Sequence, residues 1–128
     1  MIEVTAAVMR RGDEIFIARR AAGRHLEHLW EFPGGKLEHG EDPRTGLQRE
    51  MREEFGIEVA VGEFFCESIF DYGEKVVRLL AYEVEHMSGE IAPTDHDCVL
   101  WVTVVQLSNF DWAPADLPFV EQLKNEID

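Results

Sequence analysis

Glu50, Glu53 and Glu54 are the residues of this chain whose types and spacing could do chemistry. Asp42 suits an N-cap, Pro43 the first helical position and Gly56 a C-terminal stop, so the spacing predicts one helix over Pro43–Phe55. At about 100° per residue, Leu47, Met51 and Phe55 form an apolar stripe with the three glutamates directly beside it. Carboxylates spaced i,i+3 and i,i+4 repel by a few tenths of a kcal/mol per pair, and more at a cleft edge where water screens less. A hard divalent cation removes that repulsion. Carboxylates with a loop carbonyl nearby are the oxygen ligands that Mg²⁺ or Mn²⁺ takes, and Mg²⁺ usually shares its shell with substrate phosphates. Arg49, four residues before Glu53, is placed to hold that carboxylate. The glutamates alone would more often mark a solvated helix face.

The elements around this helix must place it against something. Glu3–Arg10 reads as a buried strand and Glu14–Arg19 as its hairpin partner across Gly12-Asp13. A polar loop over Arg20–Leu29 leads to a short strand, Leu29–Phe32, and a glycine turn at Gly34-Gly35. After the helix, Ile57–Phe70 reads as a strand bent at Gly62, Asp71–Glu74 as a turn and Lys75–Glu85 as an alternating strand. His86–Asp97 reads as the longest loop, Val99–Thr103 as a strand, Val104–Leu107 as a helical turn and Leu117–Glu126 as an amphipathic helix. Strands around one central helix, with a second helix at the end, imply an α/β fold with a mixed sheet covered on both faces.

With 128 residues the chain fits a single domain, 1–128, with a respectable core. Its 26 acidic and 12 basic side chains leave a net charge of −14, which argues against a nucleic acid polymer or an anionic membrane as partner. A small anionic substrate would need a metal in this field. Arg10, Arg11, Arg19, Arg20 and Arg24 lie in the first 24 residues, so a phosphate-binding side would come from the first half. Cys66 and Cys98 lack zinc-type spacing and read as buried or free thiols. No signal peptide is visible and no segment approaches about 20 apolar residues, which leads us to expect a cytoplasmic protein, monomer or homodimer.

Gly35, five residues, Glu41, seven residues, Arg49-Glu50, apolar Met51, one residue, Glu53-Glu54, one residue, Gly56 and apolar Ile57 together resemble the Nudix box without a departure. At average residue usage, a chance match is on the order of one in 10⁸ per start position. Phe32–Lys36 and Trp112–Pro118 also resemble segments of the MutT-like group of Nudix hydrolases. The resemblance implies an α/β/α sandwich and a Mg²⁺-dependent (or Mn²⁺-dependent) nucleoside triphosphate pyrophosphohydrolase. It would cleave (d)NTP to (d)NMP and pyrophosphate in nucleotide-pool sanitising, acting on 8-oxo-dGTP or on CTP and 5-substituted dCTP. A dinucleoside polyphosphate or nucleotide-sugar hydrolase is a second reading, since Tyr72 lies near where some diadenosine polyphosphate hydrolases carry a tyrosine. A nucleotide-binding Nudix domain without catalysis is a third.

Carried onto this chain, the resemblance makes Glu53, Glu54 and the Gly34 carbonyl cation ligands. Glu50 is a ligand or the base to the attacking water, a role that fits phosphoryl-type chemistry limited by charge and alignment. Asp95, six residues before Trp101, stands where MutT-like enzymes carry a further glutamate ligand, or is a solvated acid. Arg20 matches a phosphate-contacting arginine, with Arg19 on the opposite face. Lys36 either reaches a phosphate or is solvated, and Glu41 is expected at the helix N-terminus. Phe32 and Trp112 are candidate base-stacking rings, or core rings. An ionised Asp116 only accepts and would prefer a base offering an amino group, such as cytosine N4, whereas a protonated one pairs with an oxidised purine. Asp116 is also a good N-cap for the last helix.

Overall fold

One strand serves two partners on the same flank. In the computed structural model, which describes residues 1–126, β1 (Ile2–Arg11) pairs with β2 (Glu14–Arg20) only at Arg10↔Ile15 and Arg11↔Glu14. The hairpin then diverges. β4 (Gly34–Lys36), which follows β3 (Trp30–Glu31), takes the place beside β1 from Val4 to Ala6. On its other flank β1 pairs in parallel with β6 (Val76–Ser88), and β5 (Glu58–Asp71) lies antiparallel beyond β6. β2 in turn carries β3 and β7 (His96–Thr103). The result is a mixed sheet of seven strands.

Side chains alternate across it with period two. Ala7, Met9, Phe16 and Ala18 face α1 (Pro43–Phe55), whose Leu47, Met51 and Phe55 are fully buried on that side. Each of those three contributes roughly 2 kcal/mol of apolar burial. Ala6, Val8, Ile15 and Ile17 face α2 (Leu117–Asn125), which contributes Phe119, Val120 and Leu123. Helices therefore cover both faces, as expected for the α/β/α sandwich.

α1 has the expected bounds and caps. Asp42 accepts from the Thr45 N–H at 3.2 Å, and Gly56 ends the helix at φ 71°, where its N–H returns to Arg52 and Met51 carbonyls. β5 shifts register between Val61 and Phe64, at the bend expected from Gly62. Two expectations change. The glycine turn is strand β4, because a Cβ at Gly34 would run into the Thr5 carbonyl and only glycine lets the segment press onto β1. The long polar loop contracts to 89–95: β5 pairs with β6 as far as Ser88, and β2 takes up His96, so backbone pairing outweighs the polar composition. Val104–Asn109 is a 3-10 turn, slightly longer than expected. Cys66 and Cys98 are free thiols, and no helix among the described residues is long and apolar enough to cross a membrane.

Candidate active site

The three glutamates of α1 end in different surroundings. The Glu50 side chain is 11% exposed, Glu54 21% and Glu53 59%. Arg49 Nη1 donates to both Glu50 Oε1 (2.9 Å) and Glu53 Oε2 (3.0 Å). Its Nε and Nη2 grip Glu41 through both oxygens at 2.8 and 2.9 Å, and Nη2 also reaches the Lys36 carbonyl at 3.1 Å. Arg49 thus does more than hold Glu53. It also displaces the expectation for Glu41: Asp42 caps the helix, while Glu41 accepts from Arg49 and from the Glu38 N–H, which hold its carboxyl down to about 2.

Glu50 lies on the β4 backbone, where a Cβ at Gly35 would collide with its carboxylate. Burial pushes the Glu50 carboxyl up despite Arg49 beside it. The Glu54 side chain has no hydrogen-bond donor among the described residues. Burial first, then the charges of Asp95, Glu50 and Glu31, raise it to about 7, with His96 opposing. In the β1–β4 ladder the bonded positions are Ala7 with Pro33 and Glu3 with Leu37. Alternation then places Gly34, opposite Ala6, where its carbonyl points away from β1.

These groups fit a hard divalent cation: crowded carboxylates, a backbone carbonyl outside the ladder, and too little positive charge. Among the described residues, no three Asp, Glu, His or Cys side chains already meet around one point. Arg49 explains why, since it gathers Glu50 and Glu53 at one nitrogen while Glu54 alone of the three lines the neighbouring cavity.

That cavity, of about 320 Å³, has Gly34, Gly35, Lys36, Glu54 and Asp95 in its wall together with Arg20, Phe32 and Asp116. Arg20 donates to Glu31 Oε1 at 3.0 Å and to the His25 carbonyl; Arg19 pairs with Asp97 at 2.7 Å, outside the cavity. Asp95 is bound by Arg24 at 2.6 Å. Lys36 is exposed at the rim. Phe32 lines the cavity, whereas Trp112 stacks behind it at 5.0 Å and 12°, with its indole N–H given to the Leu107 carbonyl at 2.8 Å. Trp112 is a core ring. Asp116 stands at the head of α2, yet its backbone is already helical and its side chain caps nothing. It accepts instead from the Phe32 N–H at 3.0 Å. Asp116 is 4% exposed, and burial pushes its carboxyl well above the usual range, helped by Glu31. Burial therefore favours the protonated form, the second of the two cases the sequence leaves open.

Sequence reasoning missed Glu31 and His96, named Arg24 only among the arginines of the first half, and left Tyr72 between the hairpin and a substrate role. The Tyr72 N–H does close that hairpin on Lys75, but its ring lines the cavity and its hydroxyl accepts from the Ala115 N–H at 3.3 Å. An acid inside the apolar run Leu29–Phe32 was the available signal for Glu31. His96 gave none, because it sat in text that read as a loop.

The family model for the NUDIX domain matches residues 1–123. The chain belongs to the Nudix family, and is a Nudix hydrolase. It is 37% identical over 121 residues to the CTP pyrophosphohydrolase of Escherichia coli strain K12, covering 94% of this chain and 90% of that one. It is 33% identical over 124 residues to the 8-oxo-dGTP diphosphatase of the same strain, covering 96% of each. Among solved structures, the solution structure of the E. coli ORF135 protein superposes with a TM-score of 0.87 at 36% identity, covering 98% of this chain and 89% of that one. Of the carboxylates in the stretch that resembles the Nudix box, Glu50, Glu53 and Glu54 stand on α1 and Glu41 just before it, and the Nudix sandwich supplies both the sheet that buries one flank of that helix and the cavity at its edge.

Proposed function

We propose that this Nudix hydrolase is a Mg²⁺-dependent (or Mn²⁺-dependent) nucleoside triphosphate pyrophosphohydrolase, converting (d)NTP and water to (d)NMP and pyrophosphate. The observation that carries the reading is that Glu54, from the acidic helix, and Asp116, a buried carboxyl suited to a base edge, line one cavity. Two relatives, named for CTP and for 8-oxo-dGTP, support the same reaction class.

On this reading Glu50, Glu53, Glu54, the Gly34 carbonyl and Asp95 are the oxygen donors that hold the cation. Bound there, the cation would neutralise phosphate charge and acidify water. Arg49 keeps Glu50 and Glu53 side by side, and Glu50 either completes the ligand set or takes the proton of the attacking water. Arg20 and Lys36 face the phosphates. The Phe32 ring, backed by Trp112, gives the base a flat wall, and Asp116 meets its polar edge. Oδ1 of Asp116 is committed to the Phe32 amide, so Oδ2 does the reading. Neutral, it donates to an oxidised guanine; ionised, it accepts from a cytosine amino group.

A cavity of about 320 Å³ is small for two nucleosides, which counts against a dinucleoside polyphosphate substrate. The intact box carboxylates count against a domain that binds without cleaving. The test is a turnover panel with Mg²⁺ covering CTP, 5-methyl-dCTP, 8-oxo-dGTP, the ordinary triphosphates, a diadenosine polyphosphate and a nucleotide sugar. Monophosphate plus pyrophosphate is the expected product pair. Release of orthophosphate, or turnover of the last two compounds alone, would refute the reading.

A further inference from the structure

His96 stands between the acidic helix and the arginine in the cavity wall. It opens β7, its side chain is 2% exposed, and its ring stacks on Phe55 at 5.2 Å and 16°. One nitrogen is committed. Nε2 lies 2.7 Å from Glu31 Oε2, and because a carboxylate only accepts, Nε2 carries the hydrogen. The other oxygen of Glu31 takes Arg20 Nη1 at 3.0 Å. On the far side of the ring, Nδ1 is buried with no partner among the described residues, 3.9 Å from Glu54 Oε2.

That distance is too long for a direct hydrogen bond, and no other group among the described residues reaches Nδ1. Leaving a buried polar nitrogen unmatched costs about 1–3 kcal/mol, which favours the ring and the Glu54 carboxyl closing on one shared hydrogen. We propose that His96 is a positioning residue for both halves of the site. Through Nε2 it holds Glu31, and so Arg20, against the cavity; through Nδ1, which faces Oε2 across 3.9 Å, it braces the Glu54 carboxyl. It acts on the reaction only through those two carboxylates. What Arg20 and Glu54 are held for rests on the nucleotide reading above, whereas the hydrogen-bond assignment does not.

Two substitutions separate the arms. His96→Gln can place an amide nitrogen where Nε2 was, keeping Glu31 and losing the anchor at Glu54. His96→Asn can place a polar atom where Nδ1 was and releases Glu31. We expect His96→Gln to weaken Mn²⁺ binding, measured by calorimetry or electron paramagnetic resonance, by about tenfold, with nucleotide KM within about twofold. We expect His96→Asn to raise KM by about tenfold with Mn²⁺ affinity within about twofold. His96→Phe, which keeps the stack on Phe55, should show both losses. If both single-arm variants lose KM and Mn²⁺ affinity together, in step with a falling Tm, His96 is merely structural and the proposal is overturned. The ¹⁵N spectrum of the wild-type protein needs no variant: a protonated Nε2 supports the proposal, and a bare Nε2 ends it. A wild type that turns over no triphosphate would defeat the nucleotide reading instead, leaving the spectrum and the Mn²⁺ arm to decide on His96.

Discussion

Asp116 Oδ1 accepts the Phe32 amide hydrogen at 3.0 Å across 84 residues of chain. The bond pins the turn before α2 to the segment that enters the acidic helix, so the group proposed to meet a base and the groups proposed to meet a cation are held in one frame. It also keeps a carboxyl buried where its ordinary ionised form is disfavoured.

Substrate preference should therefore depend on pH. Below its raised pKa Asp116 is neutral and donates from Oδ2; as pH rises through that value it becomes an acceptor. The ratio of kcat/KM for CTP to that for 8-oxo-dGTP should climb with pH in the wild type. Asp116→Asn, which donates at every pH and keeps an oxygen for Phe32, should favour 8-oxo-dGTP and lose the climb. A ratio that rises equally in both proteins would remove Asp116 from base recognition.

Glu53→Gln should lower turnover on the order of a hundredfold or more, because it removes a proposed ligand from where charge develops. Stability should move by less than about 0.5 kcal/mol, since the lost partner is an exposed ion pair with Arg49. Full activity at saturating Mg²⁺ would contradict the ligand role.

Glu54 predicts a stability slope of definite sign in protein stripped of divalent ions. The folded carboxyl sits at about 7 against an ordinary 4.5, so between these values the folded chain keeps a proton that the unfolded chain has lost. Stability then falls as pH rises through that window. Glu50 and Asp116, raised too, act in the same direction. Glu54→Gln should flatten the fall in urea midpoint between about pH 5 and about pH 7.5, and an undiminished fall would place the proton elsewhere.

The two adjacent glycines should fail differently. A Cβ at Gly34 meets the Thr5 backbone, which cannot step aside, so Gly34→Ala should destabilise by about 2–3 kcal/mol in chemical denaturation. A Cβ at Gly35 meets the Glu50 side chain from Cγ outward, which can swing away where backbone cannot. Gly35→Ala should keep most of its stability and lose activity by displacing Glu50. Equal stability losses in the two variants would show that Glu50 is not the group being moved.

The local chemistry was already written in the amino-acid order. Asp42, Pro43 and Gly56 bound α1 by short-range hydrogen bonds and dihedral preferences, and the spacing of Glu50, Glu53 and Glu54 put them beside the buried stripe at any fold-level arrangement. What only tertiary structure decided is how those groups are partnered across distance. Whether Asp116 caps a helix or bonds Phe32, whether Trp112 faces a ligand or backs another ring, and whether Glu41 meets a helix end or Arg49 depend on which strands the sheet brings together. His96 is the clearest case: its loop-like surroundings became a strand once β2 supplied backbone partners, and burial then set Glu31 on one side of the ring and Glu54 on the other. Backbone pairing and desolvation act through contacts between residues far apart in sequence, so no local stretch of text contains them.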